Sequence, residues 1–236
     1  MLKHVGPGGG ERMTPVYRSA LGSDFLKLHP NIQWRYGVDS TSGVAQVTSG
    51  IVESVYCTSK LTPPVLRMFR RRNVMPTTTS RLVPFFMDNY CYTDERGREN
   101  LAVIRRFAYS NGEQRLHSLL VNGSSGLVDY FGDGPDMLIP LNPRVGPGGS
   151  LILESEPMQM LSRGTRLGMR GLFSTSMRYV EEWDDDEQRF RLDATVRNVT
   201  LGEIMHFRGW FTASDQPCTI HDIPDEAWPL RLEDRE

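Results

Sequence analysis

Cysteine is scarce in this sequence: Cys57, Cys91 and Cys218 are three in 236 residues, odd in number and far apart. They form no CxxC pair and no Cys/His cluster of metal-ligand spacing, so neither a disulfide framework nor a zinc site is expected. Net charge is nearly absent as well, with 27 Lys and Arg against 29 Asp and Glu, a formal charge of −2. That balance supplies no bulk field for nucleic acid or for an anionic membrane. No window approaches the roughly 20 apolar residues of a membrane span, and the amino terminus MLKHVGPGGGERM has no apolar signal segment. The expectation is a cytoplasmic protein with no membrane span and no nucleic-acid partner. A P-loop, an HExxH, a nucleophile elbow, a Ser-His-Asp order and a GxGxxG after a strand are all missing. Standard hydrolases and dinucleotide-binding enzymes are therefore disfavoured, and no cofactor or metal is expected.

What the sequence does have is turn chemistry. Glycine (22) and proline (15) make up roughly one residue in six, above the average of about one in eight, which disfavours a helical bundle. At 39% hydrophobic and 24% charged residues, the composition is that of an ordinary folded globular protein. Residues 1–13 read as a Gly-rich disordered lead, 14–216 as one β-rich domain, and 217–236 as an irregular tail pinned by Trp228.

Thr14-Pro15 and Ser23-Asp24 read as two short helix starts, with ends at His29-Pro30 and Gly37. Val44 to Tyr56 is rich in Val, Ile, Thr and Ser and reads as a strand that bends or bulges at Gly50. Thr62-Pro63 restarts helix, with Val65, Leu66 and Phe69 on one side and Arg67, Arg70, Arg71 and Arg72 largely elsewhere. From there the period is two. Phe85–Thr93, Leu101–Tyr109 and Gln114–Val121 form a meander, joined by Asp94–Gly97 and by the strong hairpin signal Asn111-Gly112. Leu127–Phe131 and Met137–Leu141 are short strands, and residues 142–150 read as an irregular loop. Residues 151–173 carry no clear period.

The last third alternates cleanly. Phe173 to Trp183 and Phe190 to Val196 form a hairpin across an acidic turn, and Ile204–Thr212 follows with His206, Arg208 and Trp210 on one face and Met205, Phe207, Gly209 and Phe211 on the other. Both faces of that strand read as buried. Eight to ten strands in succession suit an antiparallel β-barrel or strongly curled, lipocalin-like sheet with short N-terminal helices.

The segment RFRLDATVRNVTLGEIMHFRGWF resembles the carboxy-terminal signature of the domain-of-unknown-function 4166 family, chiefly at Phe207, Arg208, Gly209 and Trp210. VYRSALGSDFLKLHPNIQWRYG is similar to the family's opening, with His29 where that opening carries Pro, and Arg105–Phe107 adds a third block. The resemblance implies a bacterial cytoplasmic protein, alone or attached to a saccharopine-dehydrogenase-like reductase domain, and implies no settled activity.

For the chemistry, an arginine turned into a sheet interior must meet a carboxylate or a ligand oxygen. Arg208 is thus the leading candidate for polarising a carbonyl, with Glu181 as its partner and His206 or Glu181 as the proton carrier. A purely structural Arg–Glu pair is the competing reading. Tyr179, Trp183 and Trp210 are candidate apolar walls, or simply core, and Tyr109 and His117 flank the Asn-Gly hairpin. The expected function is binding of a hydrophobic small molecule in the barrel, with cofactor-independent isomerisation or cyclisation. A lipocalin-like carrier and a module docking on a reductase are the alternatives, and a homodimer is compatible with each.

Overall fold

The computed structural model describes residues 13–124, 126–162 and 165–233. The lead expected to be disordered therefore lies, except for Met13, outside the described residues. The first elements are α1 (Val16–Leu21), a 3-10 turn (Gly22–Lys27) and α2 (Pro30–Tyr36). His29-Pro30 starts a helix rather than ending one: Pro30 takes the first helical position, where its missing N–H costs nothing, and His29 Nδ1 accepts the Asn31 N–H at 3.2 Å.

The chain continues through β1 (Val44–Cys57), α3 (Pro63–Arg71) and the meander β2 (Ser80–Thr93), β3 (Glu99–Tyr109), β4 (Gly112–Gly123) and β5 (Gly126–Phe131). Then come β6 (Met137–Val145), β7 (Leu151–Ser155) and a small hairpin of β8 (Gln159–Ser162) and β9 (Thr165–Gly168). The series ends with β10 (Thr175–Asp184), β11 (Arg189–Asn198) and β12 (Gly202–Pro217). Residues 142–145, read above as loop, extend β6; only Pro147–Gly149 turns, as a single 3-10 turn.

The order β5-β4-β3-β2-β1-β12-β11-β10-β7-β6, with β5 paired to β6, closes ten antiparallel strands into a barrel. Closure removes the free edges that an open sheet of this size would expose. The β8–β9 hairpin hangs from β6 outside that ring.

One face of every barrel strand looks inward. Phe85, Phe107 and Phe207 meet there with ring centroids 5.1–6.3 Å apart, and each such buried ring contributes about 1.5–3 kcal/mol. The β1–β12 crossing is unusually close. A Cβ on Gly209 would lie 2.2 Å from the Ile51 carbonyl oxygen, and one on Gly50 would lie 2.0 Å from that of Trp210. The expected bulge sits three residues away from Gly50, where the register with β12 shifts between Val52 and Ser54.

The helices close the barrel's ends. Before β1, α1 and α2 bring Tyr17, Ile32 and Tyr36 into the core, and Asn122 Nδ2 ties to the Val16 carbonyl at 2.8 Å. Beyond the far end of β1, Leu66 and Phe69 of α3 pack on the same core together with Val74 and Met75. Arg72, the residue that caps the end of α3, binds Asp136 through two contacts of 2.6 and 3.0 Å. In the tail, the Trp228 ring packs tilted against Tyr92, with centroids 4.2 Å apart. Among the described residues, no helix is long and apolar enough to cross a membrane.

Candidate functional site

Two groups of polar side chains stand in the largely apolar interior, placed by strand parity and by α2. Alternation along β10 sends Met177, Tyr179 and Glu181 inward. Glu181 is 0% exposed, and its charge is met by Arg35 of α2, also 0% exposed, with Nε 2.8 Å from Oε1. The contact is an ion pair without a well-aligned N–H, and both terminal nitrogens of Arg35 lack hydrogen bonds among the described residues. They lie instead among aromatic rings, with the guanidinium 4.8 Å from the centre of Phe211 and 5.4 Å from that of Tyr36. Burial is the largest influence and acts against the charge of Arg35, but the Glu181 carboxylate together with Tyr36 and Tyr179 outweighs it, and the guanidinium is held more firmly protonated. The Tyr36 hydroxyl donates to Glu181 Oε2 at 2.7 Å, and the Tyr179 hydroxyl donates to the same oxygen. Burial, reinforced by the charge of Glu181, keeps both phenols protonated far above their ordinary range.

The second group surrounds a small internal cavity. On β3, β4 and β5, Arg105, Ser118 and Asp129 take inward positions between apolar neighbours, and Asn89 of β2 joins them. Arg105 Nη1 donates to Ser118 Oγ at 2.9 Å. Burial drives the Asp129 carboxyl up to about 7, against partial relief from Arg105, Ser118 and the Leu119 backbone. Its Oδ1 has no hydrogen-bond partner among the described residues, and neither does either amide atom of Asn89. Such atoms cost about 1–3 kcal/mol each when left unsatisfied, so the cavity presents unmet polar demand. Tyr17, Tyr36 and Tyr179 line it beside apolar groups such as Val103, Phe131 and Phe207. About 30 Å³ is open to the centre of a water-sized sphere, room for a couple of waters or for the polar end of a ligand.

The structure distributes the residues expected from sequence over three places. Tyr179 and Glu181 do face the interior, and so does Tyr109, whose buried hydroxyl has no partner among the described residues. Trp183 sits half-buried at the barrel's rim against Phe190, 4.9 Å between centroids. The others point outward. Arg208 is exposed, because Met205, Phe207, Gly209 and Phe211 are the buried face of β12 and its parity turns Arg208 to solvent. Glu181 is therefore the partner of Arg35, not of Arg208. His206 is on that same outer face, 3.2 Å from Asp193, and Trp210 lies under the Arg189 guanidinium at 4.5 Å. That face is half-open rather than buried, which corrects the two-sided reading of this strand. His117 also faces out, with Nδ1 2.8 Å from Asp133 on the Gly132–Asp136 loop. Among the described residues, no three His, Cys, Asp or Glu side chains gather as a metal site would require.

Sequence reasoning did not reach Arg35, Asn89, Arg105 or Asp129. One signal was available for two of them. Arg105 and Asp129 each share a strand phase with apolar neighbours, Val103 and Phe107 in one case and Leu127 and Phe131 in the other.

No curated protein matches the chain. Among solved structures, it is similar to one described under "Structural insights into dehydratase substrate selection for the borrelidin and fluvirucin polyketide synthases". The likeness has 10% identity, covers 72% of this chain and 84% of that chain, and has a TM-score of 0.20, too low to carry an argument. The sequence comparison is stronger: residues 28–211 match the family described as "Domain of unknown function (DUF4166)", most of the chain and all of the barrel up to Phe211, and the protein belongs to that family.

Proposed function

We propose that the protein binds a hydrophobic small molecule whose polar end occupies the barrel cavity, and that it catalyses a cofactor-independent isomerisation or cyclisation by proton transfer at Asp129. The observation that carries this reading is a buried carboxyl near neutrality beside a cation and an unsatisfied amide, in an otherwise apolar chamber. Strongly perturbed carboxyls cluster at functional sites. A carboxyl with a pKa of about 7 is partly ionised at neutral pH, so it takes a proton from a carbon next to a carbonyl and returns it at another position. Arg105, steadied by Ser118, and the Asn89 amide are placed to hold the carbonyl oxygen as charge builds on it. Glu181 acts indirectly, orienting the Tyr36 and Tyr179 rings that wall the cavity.

The test starts with denaturing mass spectrometry of protein purified from its own host, seeking a near-stoichiometric small molecule. Wild type and Asp129→Asn are then compared for binding and turnover of that compound and its isomers. The expected result is retained binding with turnover down by about 10²–10⁴. Full turnover by both Asp129→Asn and Arg105→Met would overturn the mechanism. A ligand that every variant binds and releases unchanged would instead establish a carrier.

A further inference from the structure

A second recess lies outside the barrel, where α2 meets the β10–β11 hairpin and the end of β12. Its walls are Trp34, Trp183 and Phe190, with Asn31, Gln188 and Thr212 at the rim. About 390 Å³ is open there to the centre of a water-sized sphere, against about 30 Å³ in the interior cavity. The recess therefore admits a whole small molecule without movement of the fold.

The two indoles are fixed before any ligand arrives. Trp34 stacks on Phe190 at 6.4 Å and 22°, and its Nε1–H donates to Asp215 Oδ2 at 3.1 Å. Trp183 meets Phe190 edge-on at 4.9 Å, and its Nε1–H donates to Asp185 Oδ1 at 3.0 Å. Phe190 itself is stacked on the core ring Phe211 at 5.1 Å, so both walls rest on a rigid floor. With both N–H groups satisfied, the indoles offer the recess π-surface and no donor.

The charge around it is negative. Asp185 is 75% exposed and belongs to the acidic run Asp184–Glu187, while the Asp215 carboxylate stands at the other indole. Of the nearby cations, Arg191 binds Asp184 at 2.6 Å, Arg189 lies over Trp210 and 3.5 Å from Glu187, and Arg35, 5.7 Å from the Phe190 ring, is paired with Glu181 in the core. His29 stacks on Trp183 and reaches Asp185 at 3.7 Å, the one imidazole beside this rim. Gln46 Nε2 adds a neutral hydrogen bond to Asp215 at 3.1 Å.

Indole faces edged by carboxylates attract a cation that carries its own apolar shell. A quaternary ammonium fits better than a primary amine, because it has no N–H to satisfy and gives up little hydration. We propose that this recess is a binding site for a small organic cation of the quaternary ammonium class, separate from the barrel interior and independent of the chemistry assigned there.

The experiment titrates choline into the full chain and follows the indole Nε1–H NMR signals, assigned by single Trp→Phe variants. The control titrant is 3,3-dimethylbutan-1-ol, the same shape without the charge. Saturable shifts of Trp34 and Trp183 are expected, with Trp210 and Trp228 unmoved and the neutral alcohol binding about tenfold more weakly. Trp34→Leu is expected to weaken choline by about tenfold. Because that change also removes packing on Phe190, Asp215→Asn serves as the second variant. It keeps an acceptor for Trp34, removes one charge, and is expected to weaken choline several-fold at low salt. Equal affinity for choline and the alcohol, unaltered choline affinity in both variants, or no saturable shift at millimolar choline would each overturn the proposal.

Discussion

Replacing Arg35 by Met removes the cation that faces Glu181 at 2.8 Å and keeps most of the side-chain volume. Both groups are fully buried, so no water can take over the lost interaction. Glu181 would keep the hydroxyls of Tyr36 and Tyr179, but its charge would stand uncompensated in the core. Breaking a buried pair in this way costs about 3–5 kcal/mol. At roughly 2–4 °C per kcal/mol for a chain of this length, the melting temperature should fall by about 6–20 °C. Glu181→Gln leaves Arg35 uncompensated and should cost a similar amount. The double replacement, Arg35→Met with Glu181→Gln, removes both charges at once, keeps an acceptor for the Tyr36 and Tyr179 hydroxyls, and should recover most of the loss. Urea denaturation of the four proteins gives the cycle directly, with similar m-values confirming that the unfolding transition is the same. A coupling near zero, with each single variant within about 1 kcal/mol of wild type, would refute the idea that this pair fastens α2 to β10.

Asp129, with a folded-state pKa of about 7, keeps its proton through a window in which the unfolded chain, near 4, has released it. Stability should therefore fall as pH rises from about 4 to about 7, by an amount of the order of 4 kcal/mol. Asp129→Asn should flatten that slope and exceed wild type at pH 8, as denaturation series at several pH values would show. Gly209→Ala forces a Cβ to within 2.2 Å of the Ile51 carbonyl, backbone against backbone, and should lose about 2 kcal/mol or more in urea melts. Arg208→Ala, at an exposed position on the outer wall, should stay within about 0.5 kcal/mol of wild type and leave turnover of any identified substrate unchanged.

The barrel was legible because alternation is a local property. Met177, Tyr179 and Glu181 against Arg178, Val180 and Glu182 gave the inward face of β10 directly, and Asn111-Gly112 marked the β3–β4 hairpin, although the turn falls at Ser110-Asn111 and pairs Tyr109 with Gly112. β12 misled because His206 and Trp210 are amphipathic and look at home on either side. The deciding fact was that Phe207 and Phe211, with Gly209 between them, leave no space for the opposite choice at the close β1 crossing. Residues 151–173 defeated the reading because β7, β8 and β9 run for only four or five residues each, too few for a period to emerge. The Arg35–Glu181 pair was out of reach for a different reason. Its members are separated by nearly 150 positions, and nothing in the local pattern of α2 says that the helix will be turned so that an arginine enters the barrel.

That pair and the cavity are not separate devices. Glu181 receives hydroxyls from Tyr36 and Tyr179, and those same two rings line the cavity that holds Asp129 and Arg105. The helix that closes the barrel is thus positioned by the carboxylate that also sets the cavity's walls. A ligand whose seating displaces Tyr36 strips Glu181 of one hydroxyl and loosens α2. Binding of such a ligand and the seating of α2 must then be coupled with equal strength in both directions. Any variant that weakens the Arg35–Glu181 contact should accordingly lower the energetic barrier to opening the cavity even as it lowers the stability of the fold.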